Sequence, residues 1–256
     1  MTRILLSGCN GRMGRAITDI CAKQSDAYQI VAGVDTYSAQ LADYPVYDSI
    51  ERVTEAADVV IDFSNPQALK SLLAYCLEKK LPAVIATTGH SETQLAEISA
   101  AAKKIPIFRS GNMSLGINVL LMLVERAASV LGDSFDVEII EKHHNQKVDA
   151  PSGTALMIAD RLSDCLPYQA EYVYDRHNVR QKRDRREIGI HTVRGGTIVG
   201  EHDVLFAGRD EVIEIRHSAQ SREVFAAGAV KAGAFLAGCA NPGMYNMDDL
   251  VAKFVG

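Results

Sequence analysis

Surplus positive charge is what this chain most plainly lacks. Its 27 Lys and Arg stand against 32 Asp and Glu, a net charge of -5, so bulk electrostatics offer no attraction to nucleic acid or an anionic membrane. An anionic ligand therefore needs a local cluster of cations. Paired cysteines are missing as well. Cys9, Cys21, Cys76, Cys165 and Cys239 are odd in number, far apart and without CxxC spacing, which suits reduced, mostly buried thiols in a cytosol rather than disulfides or a metal site. Tryptophan is absent and aromatics make up only 6% of the chain. No long hydrophobic run stands out: the N-terminus MTRILLSG turns to glycine too early for a secretory signal, and the apolar stretch around Val119 to Val124 is too short to span a bilayer. A cytoplasmic protein is expected. What remains is a 256-residue, 27.8 kDa chain, long enough for a well-buried core and for one or two domains.

The first half alternates strand and helix. Arg3 to Ser7 is a short apolar run ending in glycine, Met13 to Lys23 has helical spacing, and Tyr28 to Val34 reads as a second strand ending at Asp35. Asp58 to Phe63, Ala83 to Ala86 and Ile105 to Phe108 are further buried strands, and Ser91 with Gln94 forms a capping box for a helix to Lys104. Such alternation predicts an α/β fold with a Rossmann-like, doubly wound parallel sheet. Past Leu115 the pattern changes. A long amphipathic helix, Ile117 to Leu131, leads to a strand, Phe135 to Glu141, and after a helix starting near Thr154 come strands at Ile188 to Val193, Thr197 to Leu205 and Val212 to His217. These predict a second α+β domain with a mixed or antiparallel sheet. From Arg222 the chain is helical and rich in alanine and glycine, a tail expected to return to the first domain. The expected division is 1–114 completed by 222–256, and 115–221.

Two motifs carry chemistry. The first is Gly8-Cys9-Asn10-Gly11-Arg12-Met13-Gly14, a GxxGxxG turn between strand and helix. Glycines there let backbone approach a pyrophosphate, and the helix N-terminus supplies N–H groups and positive dipole. A tight strand-helix turn needs glycine for steric reasons alone, but Asp35 at the end of the second strand is placed to accept hydrogen bonds from an adenosine ribose, so dinucleotide binding is the better reading. Ala86-Thr87-Thr88-Gly89 and Ser110-Gly111-Asn112-Met113 also follow strands, where a cofactor crevice would lie.

The second motif is EKHHNQKVDAPSGTAL, Glu141 to Leu156. Adjacent histidines at a strand end are more often plain surface or core residues. Here Lys147 and a Ser-Gly-Thr helix start lie within about ten residues, and imidazoles, an ammonium and a helix N-terminus together suit proton transfer to a small anionic substrate. Neighbouring histidines on a strand face opposite sides, so a shared metal ion is not expected. His191, His202 and His217 fall on predicted strands and read as structural. Arg176 to Arg186 holds six basic residues without interleaved aromatics, and reads as a solvated loop or subunit contact rather than a nucleic-acid surface.

GCNGRMG, the DFS at Asp62 to Ser64, the ATTG at Ala86, EKHHNQKVDAPSGTAL, VRGGTIVGEH from Val193 and GMYNMDDL from Gly243 together resemble the dihydrodipicolinate reductase family, in the family's order and across nearly the whole chain. The resemblance implies a homotetramer assembled through the sheet of residues 115–221, and a reductive step toward lysine and diaminopimelate with NAD(P)H as cofactor. It makes His143 the proton donor or acceptor and Lys147 a second donor, with His144 binding substrate and Gly153 and Thr154 gripping a carboxylate. Arg222 would meet the second carboxylate. Cofactor contacts would come from Gly8, Cys9, Asn10, Gly11, Arg12 and Met13, from Asp35, from Ala86, Thr87 and Thr88, and from Ser110, Gly111, Asn112 and Met113. Departures from the family cluster near the cofactor. Ala86-Thr87-Thr88 stands for a frequent Gly-Thr-Thr, and Ser110-Gly111-Asn112-Met113 for an Ala-Pro-Asn or Ala-Asn before an aromatic. Many members also carry arginine directly after the ribose-binding acid, able to pair with the NADPH 2′-phosphate. Here Thr36 follows Asp35, which favours NADH with NADPH tolerated, although Arg12 remains within the glycine turn. Two other readings stay open: a related amino- or imino-acid dehydrogenase such as an aspartate dehydrogenase, and a dinucleotide sensor without chemistry.

Overall fold

A computed structural model describes residues 1–255, which divide into two compact units, Met1–Leu115 with Glu223–Gly256 and Gly116–Arg222. The elements of the first half run β1 (Thr2–Ser7), α1 (Arg12–Lys23), β2 (Tyr28–Val34), β3 (Val46–Tyr47), β4 (Val59–Asp62), α2 (Leu69–Lys79), β5 (Ala83–Ile85), α3 (Glu92–Ala102) and β6 (Pro106–Phe108). They continue with α4 (Leu115–Leu131), β7 (Asp136–His143), α5 (Gly153–Cys165), β8 (Glu171–Val173), β9 (Glu187–Arg194), β10 (Gly200–Ala207) and β11 (Val212–Ala219). The tail adds α6 (Glu223–Ala237), β12 (Gly243–Tyr245) and α7 (Met247–Val255).

In the first unit seven strands lie in the order β12-β6-β5-β4-β1-β2-β3, every neighbouring pair parallel. β4 reads Val-Val-Ile-Asp with every residue buried, as expected for a strand covered on both faces. Sequence order reverses at β1, so the loops after β1 and β4 open a crevice at the strands' C-terminal ends. The alanine- and glycine-rich pattern of α6 has a steric cause. A side chain at Gly228 would collide with the Met113 carbonyl, and one at Gly233 would come within 2.9 Å of Ile61 Cδ1. Small residues let α6 lie directly on the sheet. The Ser91–Gln94 capping box starts α3.

The second unit holds a five-stranded sheet, β11-β10-β7-β9-β8, mixed in sense: β10 runs antiparallel to β7 and β11, whereas β7, β9 and β8 are mutually parallel. Strict alternation along β7 buries Val137, Ile139, Glu141 and His143. α4 and α5 cover that face through Ile117, Leu120, Leu121, Val124, Ala155, Ile158 and Leu162. The apolar segment containing α4 is longer than its sequence core implied, since Leu115–Ser134 gives 20 residues long and apolar enough for a bilayer by composition. Its inner face nevertheless belongs to this core.

β3, β8 and β12, each of two or three residues, have no alternating signature in the sequence and add to the open edges of β2, β9 and β6. The basic segment 176–186 is also more than a solvated loop. Arg176 reaches Glu138 at 2.9 Å and Glu187 at 3.0 Å, and Arg183 reaches Asp136 at 2.8 Å and Glu138 at 3.0 Å, so two of its cations neutralise carboxylates on β7 and β9.

Candidate active site

The glycine turn after β1 has the geometry a dinucleotide requires. Gly8 adopts φ 79°, and a side chain there would come within 2.5 Å of the Phe63 carbonyl. A side chain at Gly14 would strike the Gly8 carbonyl. Gly11 precedes α1 as its N-cap and supplies no side chain to cap it, and no acid lies in the first turn, leaving a positive helix end suited to phosphate. A cleft of about 460 Å³ opens here, lined by Ser7, Gly8, Gly11, Asp35, Thr36, Asp48, Glu51, Phe63 and neighbours. The residues present fit a dinucleotide.

Asp35 is held by its own loop. Its carboxylate accepts from Asn10 N at 3.0 Å and Tyr37 N at 3.1 Å, while the Asn10 side chain donates to the Tyr37 and Ala39 carbonyls. Cys9 turns into the core, where burial pushes its thiol up to about 11, so only its backbone faces the turn. Arg12 is exposed, and Met13 packs against the core. Thr87 is buried and donates to Asp62 at 2.6 Å, fixing the loop after β5; Ala86 is half-buried and Thr88 exposed. In the loop after β6, Ser110 Oγ donates to the Asn112 carbonyl and Gly111 is exposed. Met113, a candidate for cofactor packing, is instead buried among core residues beneath α6.

The substrate-side residues gather at the end of β7. Two-residue alternation sends Glu141 and His143 to the covered face. Glu141 is fully buried, and five groups converge on its carboxylate. His143 Nδ1 lies at 2.6 Å, Arg194 Nη1 and Nη2 both at 2.8 Å, Ser152 N at 2.9 Å and Thr192 Oγ1 at 3.2 Å. Burial opposes its charge, but the bonds from His143 and Arg194 win and bring its pKa down to about 2. Ser152 caps α5 by accepting from Ala155 N, and its hydroxyl lies 3.2 Å from His202 Nε2. His202 stacks edge-on against His143, centroids 5.3 Å apart, and burial pulls its pKa down to about 3. It is neutral at pH 7.

His144 lies past the strand end and meets Arg222, Nη2 to Nε2 3.3 Å. Lys147 turns back toward it, its N–H donating to the His144 carbonyl, and its ammonium pairs with Asp149 at 2.8 Å. Gly153 and Thr154 open α5, with nothing within 4 Å of the position a side chain at Gly153 would take. His143, His144, Lys147, Gly153, Thr154 and Arg222 thus all belong to the second unit, anchored on β7, α5 and the chain before α6. No group of three or more His, Cys, Asp and Glu able to hold a metal occurs among the described residues.

The sequence reading passed over Glu141, Arg194 and the contact made by His202, and took Ser152 only as part of the Ser-Gly-Thr helix start. Glu141 did carry a signal: an acid two residues before a candidate catalytic histidine, on the apolar face of an alternating strand.

Fold and site together define an NAD(P)H-dependent oxidoreductase. The family model described as the dihydrodipicolinate reductase N-terminus matches residues 2–113, and that of the C-terminus residues 116–251. The chain belongs to the dihydrodipicolinate reductase family. It is 57% identical over 253 residues to the 4-hydroxy-tetrahydrodipicolinate reductase of Caldanaerobacter subterraneus subsp. tengcongensis, covering 99% of both chains. Against the enzyme of that name from Clostridium tetani it is 56% identical over 248 residues, covering 97% of this chain and 96% of that one. Among solved structures, the dipicolinate-bound dihydrodipicolinate reductase from Paenisporosarcina sp. TG-14 superposes with TM-score 0.79 at 26% identity, covering 96% of this chain and 97% of that one.

Proposed function

We propose that the chain reduces dihydrodipicolinate, formed by dehydration of 4-hydroxy-tetrahydrodipicolinate, to tetrahydrodipicolinate on the route to diaminopimelate and lysine. It would act as a cytoplasmic homotetramer with residues 1–114 and 222–256 holding the cofactor and 115–221 the substrate. The observation that carries this reading is the histidine backed by a buried carboxylate at the end of β7, next to Lys147 and the start of α5. A planar imine with two carboxylates needs cations to bind it and a proton as it is reduced. When bound in the cleft after β1, NAD(P)H would supply the hydride for the ring carbon conjugated with the imine. His143 gives the proton that the resulting electron-rich enamine requires, and Lys147 offsets the negative charge developing on the ring. His144 and Arg222 hold one carboxylate, and Gly153 and Thr154 at the positive end of α5 hold the other.

NADH is the preferred cofactor in this reading. The cleft beside Asp35 is lined by three acids, Asp35, Asp48 and Glu51, and by no Lys, Arg or His, so a 2′-phosphate would enter a field of its own sign. Gly8 to Met13, Asp35, Ala86 to Thr88 and Ser110 to Asn112 supply the contacts, with Met113 contributing through its backbone.

The test follows oxidation of NADH and NADPH by the purified protein, with substrate made in place from pyruvate and aspartate semialdehyde by the upstream synthase. Rapid oxidation that depends on the synthase is expected. Its absence would overturn the assignment, and a lower KM for NADPH than for NADH would overturn the cofactor preference alone.

A further inference from the structure

We propose that Glu141 is a positioning residue for proton transfer: its buried carboxylate keeps the proton of His143 on Nδ1, presents Nε2 to the substrate, and ties the start of α5 to the same anchor. The inference rests on His143 being the proton-transfer group. A carboxylate held ionised by an arginine fork can only accept hydrogen bonds, so the ring nitrogen 2.6 Å from Glu141 Oε2 must carry hydrogen. Nε2 is then the one site on the ring left to exchange a proton. Gly200 lies beside it: a side chain at that position would stand 3.0 Å from Nε2, so glycine leaves this nitrogen uncrowded.

The same carboxylate accepts from Ser152 N, the residue that caps α5. Arg194, which grips Glu141 with both Nη atoms, also donates to the Asp149 carbonyl in the loop between Lys147 and α5. One buried group therefore fixes a proton donor, the loop after it and a helix N-terminus relative to each other. A plain structural ion pair would need only the arginine. The His143 bond, the shortest of the five, has no such explanation.

Glu141→Gln tests this. The amide carries no charge in either orientation, so the ring loses the anion that offsets its positive charge when Nδ1 and Nε2 both hold hydrogen, the form from which Nε2 gives a proton. We expect kcat to fall at least tenfold with NADH affinity unchanged, and Glu141→Asp, which keeps the carboxylate, to recover part of it. In a His143→Ala background, Glu141→Gln should cost nothing further. An equal loss in both backgrounds would overturn the proposal and leave Glu141 as a structural anchor. Full turnover in His143→Ala alone would instead remove the reading of His143 on which the proposal rests. Should Glu141→Gln fail to fold, nitrogen-15 NMR of histidine-labelled wild-type protein decides: protonated Nδ1 at His143 supports the proposal, and the neutral Nε2–H form overturns it.

Discussion

The two sites are made from different material. The candidate cofactor cleft is chiefly backbone, a turn of seven consecutive residues whose glycines leave room for a ligand to approach the N–H groups. The candidate substrate site is chiefly side chains, with Glu141, His143, Ser152, Thr192, Arg194 and His202 converging from β7, β9, β10 and the start of α5. A backbone site depends on local sequence and is damaged by adding atoms. A side-chain site depends on strand register and is damaged by removing them.

The largest expected effect breaks the side-chain site at its centre. Arg194→Ala leaves a fully buried carboxylate without its fork, and losing one partner of a buried pair costs about 3–5 kcal/mol. Chemical unfolding should show the loss. His143→Ala removes chemistry rather than structure: turnover should drop roughly 10²-fold or more, with NADH binding by fluorescence titration unchanged. On the backbone side, Gly8→Ala adds one methyl at positive φ against the Phe63 carbonyl, a strain of about 1–3 kcal/mol. The expected result is weaker NADH binding with the proton-transfer groups intact.

Acid should separate the units further. His202 in the unfolded chain takes up a proton near pH 6.5 but in the folded chain only near 3, and Glu141 shifts downward in the same sense. Both groups bind more protons unfolded, so their stabilisation is complete above about pH 6.5 and is lost as pH falls toward 3. Thermal melts from pH 7 to 4 should show the drop, and His202→Gln should lessen it. The smallest effect sharpens cofactor choice: Thr36→Arg places a cation beside Asp35 and should raise kcat/KM for NADPH relative to NADH by about tenfold, or 1.4 kcal/mol.

Legibility followed the same divide. GCNGRMG announced itself because a glycine cradle is contiguous, and the long strands announced themselves through apolar runs or alternation. The edge strands β3, β8 and β12 were invisible because two or three residues carry no period. That His143 ends a strand just before Lys147 and a helix start was readable from one motif. Arg194 was not, since nothing in VRGG says that its guanidinium will reach a carboxylate 53 residues earlier, and His202 looked like any histidine on a strand. Of the six cations of 176–186 four are exposed, while Arg176 and Arg183 turn to acids on β7 and β9, a pairing that charge in a sequence does not announce.

By itself the sequence determined the alternation that builds a parallel sheet, the backbone cradle after β1, and the motif that brings imidazole, ammonium and helix start together, since all three are set by neighbours along the chain. Only the tertiary structure decided which carboxylate faces His143, that Met113 lies in the core, and that the cleft beside Asp35 is acidic. Those depend on register between strands far apart in sequence, where a shift of one residue turns every side chain to the opposite face.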